Sequence, residues 1–275
     1  MPTSRLVCAA TVLGTVLMVV GTVVVAPSAA ARSGNDVGGR GNLYLLSGGG
    51  TNGGVAQARF VYGDPDDVVY VGDWDGDLVD TPMVRRGNTF HLTNSAEGGP
   101  AQSVFSYGDP ADEVYVGDWD GDRRDSLAVR RGSTFLARHA LTSGAADLVF
   151  SYGDPGDEVL VGNWTSGPGS GLAVRRGNTF LVSGDLRTGA AAYSVVFGEP
   201  GDTILVGNWN AAGAHNPDRA DQLAVRRGNT FHFSSELFTR PLRGTTVGVF
   251  GDPGDAAFTA HTGSARNEDG IGVRR

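Results

Sequence analysis

The chain has 275 residues, a formal net charge of −8, 43 glycines and a single cysteine, and all 22 of its basic residues are arginines. So acidic a surface repels a phosphate backbone, which argues against a nucleic-acid partner. The glycine content and strong valine usage point to many short strands joined by tight turns.

Residues 1–31 read as a secretory signal peptide. Arg5 supplies a short positive region, an apolar run extends from Leu6 to Val25, and Ala26-Pro27-Ser28-Ala29-Ala30-Ala31 offers a cleavage site before Arg32. The alternative is an uncleaved anchor, since about 18 apolar residues can just span a bilayer. The A-x-A site favours cleavage, and hence a secreted, extracellular protein with no stable membrane insertion. Cys8 lies inside the signal, so the mature chain is expected to lack disulfides and thiol chemistry. Residues 32–40 read as a short linker.

Internal repetition organises the rest. Trp74, Trp119, Trp164 and Trp209 are spaced by 45 residues, as are Gly63, Gly108, Gly153 and Gly198. Gly251 follows after 53, the extra length lying in an insertion from Ala211 to Pro217. In the first unit, alternation and β-branched residues predict strands VVYVGDW (68–74), TPMVRR (81–86), TFHLTNS (89–95) and AQSVFSYG (101–108). Gly-Asn or Gly-Ser pairs mark the hairpin between the second and third. Four strands in about 45 residues, repeated along the chain, is the pattern of a β-propeller blade, with an open solenoid as the rival. No segment after the signal reads as a helix.

The termini separate these two architectures. The chain ends Ile271-Gly272-Val273-Arg274-Arg275, halfway through a unit, and Gly41-Asn42-Leu43-Tyr44-Leu45 begins where a unit resumes. V-R-R occurs at 84–86, 129–131, 174–176, 225–227 and 273–275. The expectation is an all-β, closed five-bladed β-propeller over 41–275, with four antiparallel strands per blade and the last blade taking two strands from each terminus. Closure removes the exposed edges that an open array leaves.

The pattern G-D-W-D-G-D-x-x-D followed by x-x-V-R-R resembles the FG-GAP and VCBS repeats of integrin α-chain propellers. It looks most like secreted actinobacterial versions with tryptophan after the first aspartate. The resemblance covers nearly the entire mature chain. It implies that the acidic loop joins the innermost strand of a blade to the second strand and often holds calcium. Propellers of that family commonly have seven blades, whereas the repeat count here is five.

Asp73, Asp75 and Asp77 stand at positions 1, 3 and 5 of their loop, with Asp80 closing it; Asp118, Asp120, Asp122 and Asp125 repeat the set. Calcium takes six to eight oxygen ligands, which alternate positions of a loop can supply. Four carboxylates in one turn also repel one another without a cation. These eight aspartates are the candidate metal ligands, and calcium is the candidate ion. The other reading is a turn whose aspartates bond to their own backbone, with Arg123 and Arg124 neutralising the second copy. The spacing departs from the common D-x-D-x-D-G-x-x-D form, with glycine at position 4 and the closing aspartate one residue early. The third loop, Asn163 to Gly167, has lost its acids. The fourth keeps Asn208, Asn210, Asp218 and Asp221 but is stretched, and the fifth region, His261 to Asp269, no longer matches.

Strand alternation puts the acidic loops on one face and the G-D-P-x-D loops with the V-R-R-G-N turns on the other. Asp64, Asp67 and their counterparts therefore meet five Arg-Arg pairs, forming either a charged ring around a ligand pocket or bonds that stitch blades together. Recurrence in every blade favours the stitch. The tryptophans read as core between blades, or as sugar-stacking surfaces where exposed.

No G-x-S-x-G, H-E-x-x-H or P-loop pattern occurs, and His91, His139, His215, His232 and His261 are scattered. The acids are copies in equivalent settings, whereas a glycosidase needs two carboxylates in different environments. The expectation is a monomeric, secreted, non-catalytic propeller that binds an extracellular protein or glycan on the G-D-P-x-D face. A five-bladed glycosidase-like enzyme and a multivalent lectin are the alternatives. The insertion, with His215 and Asn216, is the symmetry-breaking candidate for contact on the opposite face.

Overall fold

The computed structural model describes residues 34–49, 54–165, 167, 169–183, 185–209, 220–234, 242–263 and 268–275. The expected signal peptide and cleavage site, and His215 and Asn216 of the insertion, lie outside the described residues. Among those described there are twenty strands in five four-stranded antiparallel sheets, and no helix.

Strands β1 (Leu43–Leu46) and β2 (Ala58–Val61) come first in the chain. The first complete blade is β3 (Val68–Gly72), β4 (Thr81–Arg86), β5 (Thr89–Leu92) and β6 (Ser103–Ser106). The second is β7 (Glu113–Gly117), β8 (Ser126–Arg131), β9 (Thr134–Arg138) and β10 (Leu148–Ser151). The third is β11 (Glu158–Gly162), β12 (Gly171–Arg176), β13 (Thr179–Val182) and β14 (Tyr193–Val196). The fourth is β15 (Thr203–Gly207), β16 (Gln222–Arg227), β17 (Thr230–Ser234) and β18 (Gly244–Val249). The fifth is assembled from both ends in the order β19 (Ala256–His261), β20 (Asp269–Arg274), β1, β2, with Tyr44 opposite Arg274 and Leu45 opposite Val273.

The side-chain pattern explains each strand's place. Along β3, every residue after Val68 is buried, because an innermost strand is covered on both faces by neighbouring blades. Along β5, Phe90 and Leu92 are buried while Thr89 and His91 are partly open, the period of two of a strand further from the axis. Gly87, at φ 64°, supplies the positive φ needed at the first central position of the two-residue β4–β5 hairpin. Three strands end earlier than alternation suggests. After Gly72 the chain leaves the ladder because Asp73 takes two amides of its own loop, and β5 and β6 are likewise trimmed to four residues each.

Five hydrophobic clusters fill the five boundaries between blades. Across the closing boundary, Tyr44, Phe258 and Ala260 pack with Val69, Val71 and Val84, so the last blade meets the first through a core like the others. The four tryptophans are all buried in these clusters. The indole N–H groups of Trp74, Trp119 and Trp164 each donate to the carbonyl seven residues on, at 2.8–3.1 Å. Truncating a buried aromatic of this kind costs about 3–5 kcal/mol.

Of the residues expected to form a linker, Gly34 to Gly38 are buried or half-buried against the blades, and Gly39 and Arg40 are exposed. Val37 is fully buried and its amide donates to Val69 O at 2.7 Å. Val116 N donates to Gly34 O at 2.8 Å, and Asn35 Nδ2 to Val159 O at 3.0 Å. These partners lie on the innermost strands of the first three blades. Val116 sits towards the acidic-loop end of β7, Val69 towards the other end of β3, and Arg40 pairs with Asp66 in the G-D-P-x-D loop. The segment therefore runs along the central channel from one face to the other. The physical cause is the inner edge of each blade, whose backbone groups need partners once buried. Gly34 is required there, since a Cβ would fall 2.2 Å from Val161 Cγ2.

Candidate functional site

The two complete acidic loops each bring three carboxylates together. Ligand oxygens of Asp73, Asp75 and Asp77, and of Asp118, Asp120 and Asp122, lie within 4.8 Å of one another. The first aspartate of each is also the cap of its own turn. Asp73 Oδ1 accepts from Gly76 N at 2.8 Å and Oδ2 from Leu78 N at 2.9 Å. Asp118 accepts from Gly121 N and Arg123 N at 2.7 and 3.0 Å. To aim those amides inward, Leu78 and Arg123 adopt φ of 68° and 72°, which costs a non-glycine residue roughly 1–2 kcal/mol. Burial pushes the carboxyl of each cap above its usual range, opposed by the amides and reinforced by the neighbouring aspartates. The donor set, all hard carboxylate oxygens on one turn, fits calcium, with Asp73, Asp75 and Asp77 or Asp118, Asp120 and Asp122 as the holding residues. In the second loop His139 Nδ1 also stands 3.3 Å from Asp120 Oδ2.

Asp80 and Asp125 are not brought into these triads. Asp125 N donates to Asp73 O at 2.6 Å, and Asp73 N donates back to Asp125 Oδ2 at 3.0 Å. Asp80 makes the same two-bond clip with His261, both at 2.8 Å. Ser170 makes it with Asp118, Asp221 with Asn163, and Asp269 with Asn208. One clip thus spans every boundary of the ring, and it links a blade's second strand to the end of its neighbour's innermost strand. The fifth region, which no longer matches as an acidic loop, keeps both clip positions in His261 and Asp269. Gly72 precedes Asp73 for the same reason: a Cβ there would lie 2.8 Å from Asp125 Oδ2.

On the opposite face the two arginines of each pair do different work. The second reaches the carboxylates of the loop that enters its own blade: Arg86 holds Asp64 and Asp67 at 2.6 and 2.7 Å, and Arg131, Arg176, Arg227 and Arg275 repeat this. These arginines hold Asp67, Asp112, Asp157 and Asp202 below the usual carboxylate range. The first arginine reaches the backbone of the next blade. Arg130 donates to Asp157 O and Asp154 O at 2.8 Å while lying over the Phe135 ring, and Arg274 closes the ring by donating to Asp67 O at 2.8 Å. The repeated charges are therefore stitches, as their recurrence suggested, but the bonds across the blade boundary go to carbonyls.

A cavity of about 740 Å³ opens at the channel mouth on this face. The inner strands supply Tyr70, Glu113, Tyr115 and Glu158, and the threaded segment supplies Asn35 and Asp36. Glu113 and Glu158 occur in two blades only; the equivalent positions are Val68, Thr203 and Ala256. Desolvation holds the Asp36 carboxyl above its ordinary range, despite the nearby charges of Arg274 and Arg85. Sequence reasoning missed the composition of this site because Asn35 and Asp36 sit in the segment read as a linker. The one available signal was glutamate opening only the second and third inner strands.

The fold and this mouth define a class, the closed five-bladed β-propeller with a plugged channel. Comparison with known protein families and with curated proteins finds no match for the chain.

Proposed function

We propose that this chain is a secreted, non-catalytic β-propeller of the FG-GAP/VCBS type that binds an extracellular partner on the G-D-P-x-D face, with calcium held by the acidic loops of the first two blades. The observation that carries the reading is the channel-mouth cavity. It is the place where a repetitive scaffold stops being symmetric, through Asp36, Glu113 and Glu158, and recognition concentrates where repeats diverge. The non-catalytic part is supported by the division of labour among the acids. Glu113 and Glu158 are each held by the equivalent arginine, Arg130 and Arg175, at 3.2 Å, so neither has the distinct environment that a general acid or a nucleophile needs. The lectin reading loses support because all four tryptophans are buried.

The test is capture from cell-wall and extracellular fractions, alongside a glycan panel. A captured partner whose retention falls when Glu113 and Glu158 are replaced by glutamine supports the reading. Released reducing sugar would establish a hydrolase instead, and several equivalent sugar sites in calorimetry would establish a lectin.

A further inference from the structure

The threaded segment shows how the channel wall holds a chain. Along a strand, the backbone groups of alternate residues point to opposite edges. Pro82 stands opposite Val71 and has no amide to give, so Val69 and Val71 turn their backbone groups away from β4 and into the channel. The 45-residue repeat puts Val114, Val116, Val159 and Val161 in the same two positions of the second and third blades. Three of these groups grip the segment. Val69 O takes the Val37 amide at 2.7 Å, Val116 N gives to Gly34 O at 2.8 Å, and Val159 O takes Asn35 Nδ2 at 3.0 Å. On the wall's side every one of these bonds is made by main chain, which is how a strand edge recognises an extended peptide.

The hold is light. Residues 34–38 belong to no sheet, and their one buried apolar side chain is Val37, while Asn35, Asp36 and Gly38 are half-buried. A stretch with so few buried apolar contacts opens well below the free energy of global unfolding. The fit is also graded along the channel. At the acidic-loop end Gly34 leaves no space for a side chain, its Cβ position lying 2.2 Å from Val161 Cγ2. At the other end Asn35 and Asp36 border the cavity of about 740 Å³, so the channel there is wider than its occupant. We propose that the channel is a binding site for an extended peptide with glycine at its narrow end and valine three residues on, and that residues 34–38 fill it as a resident occupant which such a peptide displaces. The space beside Asn35 and Asp36 lets the incoming chain enter before the resident one has left. The site lies inside the channel and stands whether or not a partner binds at the mouth.

Fluorescence anisotropy with a labelled peptide of residues 34–40, Gly-Asn-Asp-Val-Gly-Gly-Arg, tests this. In the full chain, Gly34→Val combined with Val37→Asp ejects the resident segment, through a clash at Val161 and a charge in a fully buried position. That variant should bind the peptide one to one, and at least about tenfold more tightly than the native protein, whose own segment competes for the site. A peptide carrying the same two substitutions should not bind. A folded variant that refuses the peptide, that takes the substituted peptide as well, or that binds no more tightly than the native protein overturns the inference. Hydrogen exchange on the native protein decides the matter where the variant does not fold. The Val37 amide should exchange at least about tenfold faster than the ladder amides of β4 and β8, since the segment opens by itself. Exchange as slow as theirs would mean that the segment leaves only on global unfolding, and overturns the inference equally.

Discussion

Asp125 and Asp73 hold each other across the boundary between the first two blades, the amide of each donating to an oxygen of the other at 2.6 and 3.0 Å. The pair changes the meaning of the acidic loop. Position 1 caps its own turn with its side chain and is gripped through its backbone by the next blade. The fourth acid belongs to the neighbour's loop, in structural terms, more than to its own.

Replacing Asp125 with alanine leaves the Asp73 amide without its acceptor and should lower unfolding free energy by about 1–3 kcal/mol. Asp125→Ser should cost less, because Ser170 already fills the equivalent role, accepting from Asp118 N at 3.0 Å. Urea unfolding of both variants measures the difference. Equal losses in the two would mean that the side-chain bond contributes little.

Excess chelator is expected to lower the melting temperature of the native protein, and Asp75→Ala combined with Asp120→Ala to abolish that response. Asp80→Ala should behave differently. It should destabilise through the lost contact with His261 N yet keep the chelator response, since Asp80 lies outside the triad. Loss of the response in Asp80→Ala would return this residue to the ligand set.

The arginine pairs should differ in consequence. Arg131 sits at the surface, its side chain 49% exposed, and solvent screens its ion pairs with Asp109 and Asp112. Arg130, 2% exposed, donates to carbonyls of the third blade and lies over Phe135. Arg130→Ala should cost about 1.5–3 kcal/mol, the scale of hydrogen bonds to a charged group, and Arg131→Ala clearly less. Chemical denaturation in matched buffers decides it; the reverse order would refute the division of labour.

Stability should pass through a maximum on the acid side of neutrality. Asp67, Asp112, Asp157 and Asp202 have depressed folded values, chiefly through hydrogen bonds from their arginines. Their contribution is complete above the unfolded value of about 3.9 and is lost as pH falls through the lower folded values. Asp73, Asp118 and Asp36 are raised, chiefly by desolvation, so their contribution is present at low pH and lost as pH rises through the folded values. Melting curves in chelator should therefore rise on mild acidification and fall at about pH 4 and below. Asp73→Asn with Asp118→Asn should flatten the first limb only, and a monotonic curve in the native protein would count against the assignment.

The 45-residue recurrence of Trp74, Trp119, Trp164 and Trp209 was enough to determine the blades, and the five V-R-R copies with a half-unit at each end determined their number and the mixed last blade, because a repeat that cannot bury its own faces must stack and close. The triads of Asp73 and Asp118 were legible as well, since ligands within one turn are set by local spacing. Long-range pairings were not. Asp125 and Asp73 are 52 residues apart, Arg274 and Asp67 207 apart, and nothing in spacing says which side of a boundary a side chain crosses. The threaded segment was the least visible of all. Asn35-Asp36-Val37-Gly38 carries no period and reads as a linker, and only the ring, by presenting inner strand edges that need partners, draws it into the channel and makes Asp36 part of a wall.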